Sequence, residues 1–481
     1  MRWKFIAGIL GAFTFVLGLM LAFPMLVAFI FRESCAGGFA LSMLITTIVG
    51  GAVWLSFRRY KEEINLKEGL FIVAGAWFFA CLFGALPFYF CGVFDNFTDC
   101  FFETYSGFTT TGATVLTDIE SQQKGILFWR SFTHWLGGMG IIVLSIAILP
   151  LIGVGGMQLF RAEVPGPTAD KIKPRVAETA RILWLVYVGL SVFETLLLML
   201  GGMDFFDALC HTFGTMATGG FSTKNASIGH YDSSYIHYVI AIFMFLAGVN
   251  FALHFAAVRG NFKAYFKDNE FRIYTSIIVV MTIMGSLVLI FQTDKSVPVS
   301  IRDTFFQVLA FITTTGYGTS DYELWPFGGQ ILLLILMFVG GSTGSTGGGV
   351  KVMRHVMMFK QAYNELYMLV HPRAVRVIKY GKATVSPAVM RSIWSFLFLY
   401  LFLFALGSII MGMMGHDPLT ATTTVASALG NIGPGFGNIG PTENYAHFGV
   451  AAKWLLSMCM LIGRLEVYTV VILFAPAFWR K

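Results

Sequence analysis

The chain has 481 residues, of which 56% are hydrophobic, 16% aromatic and only 12% charged. A soluble protein carries about 25% charged residues, and so much apolar surface cannot hide in one soluble core, so a soluble enzyme and a disordered chain are both excluded. The formal net charge is +7, and its placement along the chain says more than its size.

A bilayer core of about 30 Å needs about 20 apolar residues in a helix. Ten stretches qualify as spans, near 5–31, 38–57, 69–92, 126–152, 182–201, 236–258, 273–292, 328–350, 392–414 and 448–475. The first follows Met1-Arg2-Trp3-Lys4 and is too long for a signal peptide, so it is expected to be a retained helix. With the N-terminus inside, 25 Lys and Arg fall on inner segments, 7 on outer segments, and Arg464 within a span. The bias predicts both termini in the cytoplasm. Acids run the other way, 15 outside against 9 inside, with Glu194 and Glu466 in the membrane. The outer face is then net negative, which concentrates cations at that mouth.

Cys35, Cys81, Cys91, Cys100, Cys210 and Cys459 form no CxxC and no Cys/His cluster, which argues against zinc or redox motifs. They read as small buried hydrophobes, with Cys91 and Cys100 the pair able to bond on an oxidising face.

The outer loops after spans 3, 5, 7 and 9 carry the information. Each holds a short semi-apolar segment that begins near an Asp (Asp99, Asp207, Asp303, Asp417) and ends in a Gly turn. The glycines Gly112, Gly219, Gly316 and Gly433 recur about every hundred residues, in the order span, short segment, turn, span. About ten helical residues cover about 15 Å, half a bilayer, so each segment suits a re-entrant half-helix N-capped by its Asp. Non-helical backbone at membrane depth is tolerated where protein or a water-filled path satisfies it. Four such turns on one axis would offer carbonyl oxygens in place of a cation's water, and a Thr hydroxyl could add another. The residues assigned to this site are Thr110, Thr111 and Gly112; Ala217, Thr218, Gly219 and Gly220; Thr314, Thr315 and Gly316; and Asn431, Ile432 and Gly433. Two registers are open in the second repeat, where Gly219 precedes Gly220, and the fourth departs with Asn431-Ile432 in place of Thr-Thr.

On these residues, and on the run Thr313-Thr314-Thr315-Gly316-Tyr317-Gly318, the chain resembles the membrane subunit of the Trk/Ktr/HKT potassium transporter family, in its bacterial TrkH-type branch. The resemblance implies an all-α polytopic membrane protein. Four pseudo-symmetric helix–pore-loop–helix repeats surround one pore, at 69–160, 161–258, 259–360 and 361–481, after an N-terminal helix pair at 1–68. It implies potassium as the transported ion at the turn residues, and no cofactor bound by this chain. In this family a Ser at the first turn glycine accompanies sodium transport, so Gly112 favours potassium. The implied location is the bacterial inner membrane. The implied partners are a second copy in a homodimer, a cytosolic nucleotide-binding regulatory ring (TrkA-like) and membrane lipid, with no nucleic acid. The inner segment 351–391, with 8 Lys and Arg against Glu365, is the expected docking surface for the ring.

Two further features lie below the turns. Span 8 is interrupted by Gly340, Gly341, Ser342, Thr343, Gly344, Ser345, Thr346, Gly347, Gly348 and Gly349. Each Gly costs about 1 kcal/mol relative to Ala in a helix, so the run is expected to be non-helical. It lacks GxxxxGK[ST], and in the family it resembles a flexible intramembrane gate loop. Arg464, expected near the middle of span 10, is either a positive barrier in the pore or the partner of Glu194 or Glu466.

An organic-solute transporter with broken helices is the first competitor, disfavoured because four Gly turns suit a bare cation. A membrane enzyme is the second. His134 and His254 come without HExxH or paired carboxylates and read as packing residues, so no enzyme is expected. The sequence leaves a gated channel and an ion-coupled symporter (potassium with protons or sodium) both open.

Overall fold

The structure, a computed structural model, describes residues 1–60, 64–147, 172–374, 376–381 and 383–480. Among these the fold is helical. The one strand pairing among them joins Lys379–Tyr380 to Ala383–Thr384.

The first span runs Trp3–Met20 and Ala22–Ile30, with a pause at Leu21, and packs along Ala36–Phe57. The two helices touch backbone to backbone. A Cβ on Gly50 would fall on the Phe15 backbone, a contact that small residues permit in a membrane where burial alone does not drive association. Leu66–Gly84 and Leu86–Phe90 form the third span. It opens with a capping box in which Asn65 accepts from the Glu68 N–H and the Glu68 carboxylate accepts from the Asn65 N–H.

Four short helices follow spans 3, 5, 7 and 9: Phe97–Phe108, Phe205–Met216, Val297–Ile312 and Pro418–Gly430. Their lengths of 12, 12, 16 and 13 residues correspond to about 18–24 Å, longer than the expected half-helices. Their caps also differ from expectation. Asp417 is an N-cap, but Asn96 and Asp204 cap the first two helices, and Ser296 begins the third. Asp99, Asp207 and Asp303 lie inside the helices and pair with Lys453, Lys224 (3.0 Å) and Lys295 (2.8 Å) instead.

After the short helices come Lys124–Ala147, Ser234–Ala247 with Phe251–Val258, Phe327–Leu336, and Val450–Arg464 with Val467–Phe474. Among the described residues six helices are long and apolar enough to cross a membrane, or eight if each bent pair is one span, fewer than the ten expected. Phe327–Leu336, at 10 residues, is too short to cross by itself. The remaining spans are Ile172–Leu200, Asn269–Gln292 and Pro387–Met413. The expected continuous helices over 236–258 and 448–475 are broken, bent by 102° and 118°. In the first, Asn250 restarts the helix by accepting from the Ala252 N–H. In the second, Glu466 sits at φ 63, a left-handed angle no helix interior holds. The tail of span 4 beyond Ala147, 148–152, and most of the inner segment 161–181 lie outside the described residues.

All six cysteines are free thiols, five of them buried. The Cys91–Cys100 pairing is not formed; the Cys91 thiol donates to Cys35 O (3.5 Å) instead.

Candidate ion pathway

The four short helices end in the same way. The Thr110 N–H donates to Gly107 O (3.0 Å) and the Thr111 N–H to Ser106 O (2.9 Å). The same two bonds recur as Thr218 to Thr215 and Gly219 to Gly214, as Thr314 to Phe311 and Thr315 to Ala310, and as Asn431 to Ala428 and Ile432 to Ser427. This is a Schellman cap, whose turn residue must be left-handed. Thr110, Thr218, Thr314 and Asn431 take φ of 52°, 55°, 60° and 54°. Glycine is the usual residue there, and β-branched threonine is held in that region only by surrounding structure, at a cost of about 1–3 kcal/mol each.

Two residues on, Gly112, Gly220, Gly316 and Gly433 also have positive φ. A Cβ on Gly112 would fall on Gly219 O, one on Gly220 on Thr315 O, one on Gly316 on Ile432 O, and one on Gly433 within 2.7 Å of Thr111 O. The contacts run from each repeat to the next and close on the first. The four turns therefore form a ring with room for carbonyl oxygens and none for side chains. They also decide the open register: the counterpart of Gly112 is Gly220, and Gly219, expected in that place, corresponds to Thr111. Gly112, Gly220, Gly316 and Gly433 together line one cavity, whose wall also includes Arg130, Lys224 and Glu443.

Hydrogen bonds between repeats hold the ring. Arg130 is buried in Lys124–Ala147. It donates to Glu103 Oε1 (2.6 Å) and to Ser222 O (2.8 Å), linking the first and second repeats. The Tyr317 hydroxyl donates to His211 O (2.9 Å) and that of Tyr322 to Gly435 O (2.8 Å). The circuit is completed by Tyr445, whose N–H donates to Thr114 O (2.7 Å) and whose hydroxyl donates to Gly433 O (2.6 Å). Most hydroxyls of the turns are tied into this wall: Thr111 Oγ1 bonds Thr109 Oγ1 (2.8 Å), and Thr315 Oγ1 bonds Thr313 Oγ1 (2.7 Å). Thr110 Oγ1 and Asn431 Oδ1 are buried without a partner. Asn431 Nδ2 donates to Thr111 Oγ1 (3.0 Å) and Met460 O (2.9 Å), bridging the fourth turn, the first turn and the last inward helix. Backbone carbonyls crowded round an axis can replace the hydration shell of a bare monovalent cation.

The glycine-rich run 340–349 is non-helical and lies against the turns. The Gly348 N–H donates to Thr314 Oγ1 (2.7 Å), and a Cβ there would fall on Gly430 O. Thr346 Oγ1 donates to Met216 O (3.0 Å), so the loop touches the second, third and fourth repeats at once. Arg464 closes the helix Val450–Arg464 at the bend, near the middle of the expected span 448–475. Its Nη1 donates to Thr346 O (2.6 Å) and its Nη2 to Gly137 O (3.4 Å). No ion pair joins it to Glu194 or Glu466 among the described residues. Glu466 binds Arg354 instead, and Glu194 is buried beside Thr215. The loop and Arg464 line a shared cavity with Lys351 and Tyr400.

Glu270 does not stand out in the sequence. Its Oε1 accepts from the Thr343 N–H (2.8 Å), the Thr343 hydroxyl (3.2 Å) and the Met353 N–H (3.1 Å). It thereby caps the helix Val352–Val370 and pins the loop to span 7. Its place in the first turn of a span, after Asp268, was the available signal. His254 is satisfied by Tyr265 Oη and Leu246 O, whereas His134 stacks on Phe221 with neither nitrogen bonded.

The sequence matches the TrkH cation transport protein family over residues 38–481. It is 42% identical to the Trk system potassium uptake protein TrkH of Escherichia coli K12 and 41% identical to that of Halomonas elongata, each over the full length of both chains. The crystal structure of the potassium transporter TrkH from Vibrio parahaemolyticus superposes with a TM-score of 0.93 at 37% identity, covering all of both chains. With the ring of turns, the helical fold and these full-length similarities in agreement, the chain belongs to the TrkH family of cation transport proteins, a family of membrane transporters and not of enzymes.

Proposed function

We propose that this protein carries potassium across the bacterial inner membrane, with both termini cytoplasmic, through a selectivity filter made of the four turns. The observation that carries the reading is the closed circuit Gly112–Gly219, Gly220–Thr315, Gly316–Ile432 and Gly433–Thr111. Relatives named for potassium uptake add to it. In this reading the carbonyls of the turns take the place of the ion's water, and Thr110 Oγ1 and Asn431 Oδ1 supply further oxygens. The run 340–349 is the gate, held shut by Arg464 and Glu270. Rubidium uptake into proteoliposomes tests the proposal: uptake competed by potassium and weakly by sodium supports it, and equal competition by both ions refutes it.

Regulation comes from outside the chain in this reading, through a homodimer bound to a cytosolic nucleotide-binding ring on the inner segment 351–391. Support comes from the basic charge of that segment and from a groove lined by Phe359, Lys360, Tyr363, Arg376 and Lys379. The Arg376 guanidinium lies 4.5 Å from the Tyr367 ring, which presents charge beside aromatic surface. The helix Val352–Val370 runs from the gate loop into this groove, so a ring that pulls on it acts on the Met353–Glu270 bond. Single-channel recording separates channel flux from coupled transport.

A further inference from the structure

Cys35 and Cys91 lie at the outer ends of two different helices. Cys35 is the N-cap of Ala36–Phe57, and Cys91 is the C-cap of Leu86–Phe90. The helices cross tightly: a Cβ on Gly38 would come within 2.7 Å of Cys91 Sγ and 3.1 Å of Cys91 N. Gly38 is three residues after Cys35 and so faces the same side. The Cys91 thiol donates to Cys35 O (3.5 Å) and also interacts with the Cys35 side chain. Cys35 is buried and Cys91 is partly accessible.

We propose that Cys35 and Cys91 form a reversible disulfide that staples the N-terminal helix pair to the first repeat. The proposal rests on the outward placement of both loops, where a periplasm is oxidising. The oxidant is a protein disulfide of the thiol-oxidase class. Cys91, the accessible thiol, loses its proton and attacks one sulfur of that disulfide, which releases one oxidant thiolate. Cys35 then loses its proton and attacks the Cys91 sulfur, forming the Cys35–Cys91 bond and releasing the second oxidant thiolate. Two cysteine thiols are oxidised and one oxidant disulfide is reduced to a dithiol that carries the two protons.

The bond would fix the loop that holds the start of Lys124–Ala147. In that loop Glu33 accepts from the Lys124 N–H (2.5 Å) and the Gly125 N–H (2.8 Å), and the Cys35 N–H donates to Gln123 Oε1 (2.9 Å). Oxidation therefore stabilises the start of Lys124–Ala147, the second long helix of the first repeat, and leaves the ring of turns untouched.

The test is alkylation with N-ethylmaleimide at cell lysis, followed by digestion and mass spectrometry of the full chain. A peptide pair joined through Cys35 and Cys91 is expected, about 2 Da lighter than the two reduced peptides. Reduction should lower the unfolding temperature of the wild-type protein in detergent and leave that of Cys35→Ser unchanged. Recovery of both cysteines alkylated, from cells and again after incubation of the purified protein with glutathione disulfide, would overturn the proposal. So would a bond from Cys91 to Cys100. If the linkage forms only with glutathione disulfide and never in cells, the geometry is right and the outward placement is wrong, which overturns the proposal as stated.

Discussion

Gly219 and Gly220 are adjacent and chemically identical, yet the structure gives them opposite roles. Gly220 has φ 79, and any Cβ there falls on Thr315 O. Gly220→Ser must hold a left-handed angle, at about 1–2 kcal/mol, and must also push aside one carbonyl of the ring. A polar group facing a charge contributes about 1.5–3 kcal/mol, so loss of one potassium-facing oxygen should lower potassium preference over sodium about 10- to 150-fold. Gly219 has no positive φ, and its Cβ would meet the His134 imidazole. That ring is bonded to nothing and stacks on Phe221 with centroids 4.0 Å apart. Removing it should make room, so the double variant Gly219→Ala/His134→Ala should keep its selectivity even though stability drops. The assay is rubidium uptake into proteoliposomes with sodium as competitor, on protein whose monodispersity has been checked. If Gly220→Ser kept its ion preference while the rescued double variant lost it, the register and the ring built on it would be wrong.

The other predictions concern the loop and what holds it. Deleting part of 342–348 should raise basal flux and leave ion preference unchanged, and a folded deletion with wild-type flux would remove the gate. Arg464→Ala loses a charged hydrogen bond to Thr346 O, about 1.5–3 kcal/mol, so the closed loop should be disfavoured about 10- to 150-fold. Flux that stays level or falls in a stable variant would leave Arg464 a packing residue. Glu270→Ala removes three hydrogen bonds at about 1 kcal/mol each and should raise ring-independent flux up to about 150-fold, with Glu270→Gln in between because it keeps one acceptor. Equal flux from both variants and wild type would exclude a latch. Charge reversal at Arg373, Arg376 and Lys379 should weaken binding of the regulatory ring and blunt nucleotide-dependent flux. A full nucleotide response from the isolated chain would contradict that.

The sequence made the repeats legible because Gly at a fixed place after Thr has one economical use at membrane depth. The register of the second repeat was hidden because two adjacent glycines carry the same signal, and only the angle at Gly220 separates them. Apolar composition showed where spans lie but not where they bend. Gly248 and Asn250 break one inward helix and Arg464 to Glu466 another, within runs that remain hydrophobic on both sides of the break. The acids at the short helices read as caps, yet Asn96 and Asp204, three residues earlier, take that role and free Asp99 and Asp207 to pair with lysines. Partners far apart in sequence left no local trace: Arg130 with Glu103, Arg354 with Glu466, Cys35 with Cys91, and Glu270 with the loop.

The central claim is that the four turns hold a dehydrated monovalent cation. Crystals grown with thallium in place of potassium would show it directly by anomalous scattering. The account predicts strong peaks on the axis enclosed by Gly112, Gly220, Gly316 and Gly433, lost when sodium replaces thallium. Thallium peaks absent from that axis and present elsewhere in the membrane region, in a protein that transports rubidium, would contradict it.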